Sequence, residues 1–155
     1  MKFPNLIGLL FTLITVTTNA QTVTTALSNP GSKPKLFASA PEKIICPEQE
    51  LSKAFTTNIN QNINLSFSDN FLFNGTVVGN VAKYSNLQSV MIKSPQFDNV
   101  IFSISKITNE DKSITYVGHI INKKYADGYE LKKDASNNYQ LIKFETNKIM
   151  PECSQ

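Results

Sequence analysis

The chain lacks tryptophan, and all 15 of its basic residues are lysine, none arginine. It has one histidine, His119, and two cysteines, Cys46 and Cys153. Each shortage excludes something. Without arginine there is no rigid fork for bidentate recognition of carboxylate or phosphate. Nucleic-acid binding, which wants arginine interleaved with aromatics, is excluded on the same ground. A single histidine cannot build a His-Glu-x-x-His zinc site, and it cannot complete a metal site on two cysteines. No Gly-x-Ser-x-Gly elbow marks a nucleophile. Nothing reads as a cofactor site.

Only one apolar run is long. Lys2 precedes Leu6–Val16, and Thr18 and Ala20 stand at the minus-three and minus-one positions before Gln21. This is the pattern of a secretory signal peptide, residues 1–20. The run is well short of the roughly 20 residues that span a bilayer, and no later stretch is long enough, so the mature chain has no transmembrane segment. Export removes Lys2 and leaves 14 lysines against 12 acids, a net charge of +2. That is too small to direct the chain to nucleic acid or an anionic membrane. In an oxidising compartment, secreted or periplasmic, Cys46 and Cys153 read as a disulfide. It would close a loop of over 100 residues, worth about 4.7 kcal/mol of chain entropy.

Residues 21–41, "QTVTTALSNPGSKPKLFASAP", show no apolar period and read as a flexible leader. Residues 42–155 then form a single β-rich domain. Pro47, with Glu48 and Glu50 behind it, opens a short helix over 47–56. Leu51, Ala54 and Phe55 share its buried side. From Leu65 the period changes to that of strands. Segments near 63–67, 71–79, 89–94, 99–107, 113–122, 129–133 and 139–146 are separated by turns at 109–112, 125–128 and 134–138. Gly75 and Gly79 mark a bulge or bend. Turns this short allow only antiparallel neighbours. The expected fold is mainly β (α+β): one antiparallel meander of five to seven strands, curled or barrel-like, with one short N-terminal helix.

Chemistry is sparse. Thr115, Val117, His119 and Ile121 share one face of a strand, and Ile114, Tyr116, Gly118 and Ile120 the other. Neither face is purely polar, so the pattern leaves open which is buried. His119 reads as a strand histidine making one hydrogen bond; the functional alternative is a pH-sensitive contact in a partner interface. Asp127 and Asp134 lie about 20 Å apart at strand rise, too far for a hydrolytic dyad. "DASNN" at 134–138 lacks the order of a calcium loop and reads as a turn. Lys123, Lys124, Lys132, Lys133 and Lys143 read as protection of a sheet edge, or as a basic patch. Asn64-Leu65-Ser66 and Asn74-Gly75-Thr76 match the N-glycosylation sequon. Tyr116, Tyr125, Tyr129 and Tyr139 are packing residues first, and otherwise a stacking surface.

The sequence thus points to a small exported non-enzymatic binding module acting on a protein partner, as inhibitor or accessory. The candidate residues are Tyr116, His119, Lys124, Tyr125, Tyr129, Lys132 and Tyr139. A carbohydrate- or envelope-binding domain, with polysaccharide as its ligand, would use the same tyrosines. A hydrolase would need carboxylates that converge only in the fold.

Overall fold

Pro47 supplies an extended backbone just before the helix, where a missing N–H costs nothing. Helix α1 follows over Glu48–Thr56, with Glu48 and Glu50 in its first turn, where the dipole favours acids. Leu51, Ala54 and Phe55 are its buried residues, as their spacing requires. The structure, a computed structural model, describes residues 33–68 and 71–146. The expected signal peptide, the leader up to residue 32 and Cys153 lie outside the described residues.

Among the described residues eight strands accompany this helix: β1 (Lys43–Ile45), β2 (Asn62–Ser66), β3 (Leu72–Tyr84), β4 (Leu87–Ser94), β5 (Val100–Thr108), β6 (Ile114–Ile121), β7 (Asp127–Lys133) and β8 (Tyr139–Glu145). They make one antiparallel sheet in the order β1-β8-β7-β6-β5-β4-β3-β2. The meander from β2 to β8 is the expected one, and the sheet curls into a half-barrel. Its strand count exceeds the expected range by one, through β1. Three residues are too few to show a period, and β1 exists because Ile44 faces Leu141 across β8. The register of β3 on β4 shifts between Val77 and Gly79, a bulge beside the glycine that the sequence marks.

The period of two sorts the residues. Val100, Phe102 and Ile104 of β5 are buried, whereas Ser103 and Ser105 are not. The same alternation on β6 buries Tyr116, Gly118 and Ile120 and places His119 on the outer face. The inner face and α1 share one apolar core, which includes Phe55, Phe73, Phe102, Tyr129 and Leu141.

The edges are β1 and β2, and the curl brings them together at one point. Ser68 N–H donates to Ile45 O at 2.9 Å. Ile45 N–H donates to Ser68 Oγ at 2.7 Å. Next to this, Ser66 N–H donates to the Glu50 carboxylate at 2.9 Å, so the helix caps part of the β2 edge. Lys132, Lys133 and Lys143 therefore do not protect an edge, because β7 and β8 lie inside the sheet. Lys143 reaches over the inner face to Ala40 O at 2.6 Å and to Glu42 at 2.9 Å.

The leader assignment also moves. Phe37 is 2 % exposed and belongs to the core. Nothing in "KPKLFASAP" has a strand or helix period, so one buried phenylalanine gives no pattern to read. Among the described residues no helix is long and apolar enough to cross a membrane.

Candidate binding site at the parted strands

Strand β6 has two neighbours and treats them differently. With β5 it pairs over eight positions, from Ile101–Ile121 to Thr108–Ile114. With β7 it pairs over three: Gly118–Leu131, His119–Glu130 and Ile120–Tyr129. Beyond Gly118 and Leu131 the two strands part. A cleft of about 430 Å³ opens between Thr115–His119 on one side and Glu130–Lys133 on the other.

A side chain explains the parting. In an antiparallel ladder, alternate residues turn their main-chain groups to the same neighbour. Asn109 bonds Ser113 in the β5–β6 turn, which assigns the odd residues of β6 to β5 and the even ones to β7. Continued register would join Tyr116 to Lys133. Instead Tyr116 N–H donates to the Tyr139 hydroxyl at 2.9 Å. That hydroxyl lies 3.4 Å from Ile114 O, to which it donates. A β8 side chain thus serves main-chain groups of β6 that β7 would otherwise serve. Lys133 Nζ sits 4.9 Å from the centre of the Tyr139 ring. The rings of Tyr116 and Tyr139 meet edge to face at 5.5 Å. Burial pushes the Tyr116 phenol above its ordinary value, with smaller contributions from Glu48 and Tyr139.

On its outer side the cleft is polar and mixed in charge. Lys132 pairs with Glu130 at 2.7 Å. His119 stands opposite Glu130 in register and meets the Phe144 ring edge to face at 6.3 Å. Val117, beside them, is 43 % exposed.

The seven candidate residues do not form one surface. His119 and Lys132 line the cleft, as does Tyr116, and Tyr139 lies beneath it. Lys124 and Tyr125 lie at the far end of β6, in the β6–β7 turn. There Tyr125 donates to Asp98 at 3.0 Å and Lys124 pairs with the same carboxylate at 3.7 Å. That bond raises the Tyr125 phenol above its ordinary value. Tyr129 is buried, with its ring 5.0 Å from Phe37 and its hydroxyl donating to Pro41 O at 2.5 Å. Tyr116, Tyr129 and Tyr139 are each at most 3 % exposed. As an exposed stacking surface these three are corrected: they are core residues. The cleft also uses Thr115, Val117, Glu130 and Lys133, which are not among the seven candidates. Register alone brings Glu130 to His119, and no local signal carries it.

Three carboxylates are committed to structure. Asp111 accepts from Ser113 N–H at 2.9 Å and from its hydroxyl at 2.6 Å, and these bonds lower its pKa. Asp134 accepts from Asn138 N–H at 2.8 Å and from Gln140 at 2.6 Å, and is lowered likewise. Glu50 is held below the ordinary range by Lys53 and Ser66 N–H. All three shift opposite to a general acid, which is raised toward neutrality. Among the described residues no three of His, Cys, Asp and Glu converge on a possible metal position. Cys46 is buried, 3.6 Å from Ile44 O, and burial pushes its thiol up to about 12.

Set against known proteins, the chain matches no family model, no curated protein and no solved structure.

Proposed function

We propose that this protein is an exported, non-enzymatic binding module that acts on a protein partner, as inhibitor or accessory. The partner engages the outer face of β6 and β7 where the strands part. One observation carries this reading: a ladder of three pairs beside one of eight leaves a mixed-charge cleft inside an otherwise continuous sheet. Alternating exposed side chains at such a place suit an extended segment of another protein. Export rests on Lys2, Leu6–Val16 and Ala20. Burial of Tyr116, Tyr129 and Tyr139 weighs against a carbohydrate platform. A Cys46–Cys153 bridge belongs to the same proposal. Titration of the mature protein in denaturant without reductant should find no thiol, and two thiols would remove the bridge.

The test is a pull-down from secreted and envelope fractions with the tagged chain from Gln21. Wild type is compared with a Val117→Asp, Lys132→Glu double variant and with Lys83→Glu on β3. One protein should be retained near stoichiometrically by wild type and by Lys83→Glu, and lost by the double variant. Retention on wall polysaccharide with no protein partner would favour an envelope-binding domain instead.

A further inference from the structure

The segment 33–41 is held to the sheet as a ligand is held. Its only fully buried residue is Phe37. The Phe37 ring lies 5.0 Å from Tyr129 and 5.6 Å from Phe97. Asp127, 1 % exposed, opens β7 and turns both carboxylate oxygens to the segment. They accept from Leu36 N–H at 2.7 Å and Phe37 N–H at 2.9 Å. Ala126 N–H donates to Pro34 O at 2.8 Å. Lys35 pairs with Glu145 at 3.3 Å. Three main-chain bonds, one aromatic anchor and one ion pair are the elements by which a site recognises an extended peptide. The base of the segment is fixed separately, by Tyr129 on Pro41 O and Lys143 on Ala40 O. Residues 34–37 thus form an arm beyond a fixed tether.

We propose that Asp127, Tyr129, Phe97 and Glu145 form a peptide-binding site, filled in the resting molecule by the chain's own Pro34-Lys35-Leu36-Phe37. The site takes an extended peptide of the same chemistry, a lysine two residues before a phenylalanine, supplied in trans. It lies at the opposite end of β7 from the parted strands and does not depend on the reading given to them. The tethered arm competes with any incoming peptide at an effective concentration of order millimolar.

The probe is a fluorescein-labelled peptide spanning residues 33–41, followed by anisotropy against the full chain and against its Phe37→Ala variant. Saturable binding to the variant is expected, with wild type weaker by roughly tenfold or more because its own arm occupies the site. A peptide carrying Phe37→Ala should bind neither protein. Equal binding to both proteins, or none to the variant, overturns the proposal. So does failure of the variant to fold, since the domain could then not stand without its own Phe37 and the arm could not leave the site. Hydrogen exchange on the wild type gives a second measure. The Leu36 and Phe37 amides should exchange roughly tenfold or more faster than those of β5, through an opening smaller than global unfolding. Equal rates would mean that the arm leaves only when the whole domain unfolds.

Discussion

Strand β6 is zipped to β5 over eight positions and to β7 over three, though all three strands share the same meander. The zipped side works because nothing intervenes. Ser103 faces His119 and Ile104 faces Gly118, and the glycine lets the strands approach. On the other side the Tyr139 hydroxyl occupies the place of a main-chain partner. Pairing in a curled sheet is thus set by whichever group satisfies the strand's polar atoms first, a neighbouring strand or a side chain from two strands away.

Gly118→Ala should disturb that contrast most. A Cβ there would lie 2.5 Å from Ser103 O and 3.1 Å from Ile104 Cα, so main chain must move and the eight-pair side must open. A loss of about 3 kcal/mol is expected from overpacking, read as a shifted urea midpoint. A neutral outcome would show that the zipped side yields as easily as the parted one.

Tyr139→Phe comes next. It leaves Tyr116 N–H and Ile114 O without the hydroxyl, at a cost of about 1–3 kcal/mol. If β6 and β7 then zip, the Lys133 amide gains protection from hydrogen exchange and the loss falls toward the lower figure. Full loss without new protection would mean that curvature, not the hydroxyl, holds the strands apart.

Acid separates the turns. Asp111 and Asp134 brace the β5–β6 and β7–β8 turns, and their hydrogen bonds lower their folded-state pKa values from an ordinary 3.8. The stability they confer is therefore present above that value and fades as pH falls through the lowered ones. In the β6–β7 turn the main-chain amide is held by a neutral group instead: Asn122 accepts from Lys124 N–H and donates to Asp98 O, while the Asp98 carboxylate, among the described residues, meets only the side chains of Lys124 and Tyr125. Amide exchange at Ser113 and Asn138 should rise below about pH 3.8 before it rises at Lys124. A simultaneous rise would show that the turns open only with the domain.

The smallest effect is assigned to His119→Ala. Its side chain is on the outer face, so stability should change by no more than about 0.5 kcal/mol. Partner capture in the pull-down should weaken only a few-fold. Complete loss of capture would make His119 an anchor of the interface rather than a member of its rim.

Much of this was legible in single strands. "NVIFSISKI" alternates cleanly, and the structure buries Val100, Phe102 and Ile104 as that alternation requires. The turns at "NEDK" and "DASNN" close where their Asn and Asp residues permit: Asn109 N–H meets Ser113 O and Asp134 N–H meets Asn138 O. The strand holding His119 was legible only up to a choice of face, because both faces carry isoleucine. Inside packing on Gly118 and Tyr116 made that choice.

The sequence by itself determined the seven strands of the meander, the helix, the antiparallel connections and the lack of arginine and of a second histidine. These follow from local periods, turn chemistry and residue count, none of which needs a distant partner. Tertiary structure alone decided that Phe37 joins the core, that β1 pairs with β8, and that Tyr139 parts β6 from β7. Each of these rests on groups more than 20 residues apart in the chain: Leu36 and Phe37 on Asp127, Ile44 on Leu141, Tyr116 on Tyr139. A hydrogen bond across such a separation leaves no period in the sequence, because its partners are chosen by where the curl of the sheet brings them.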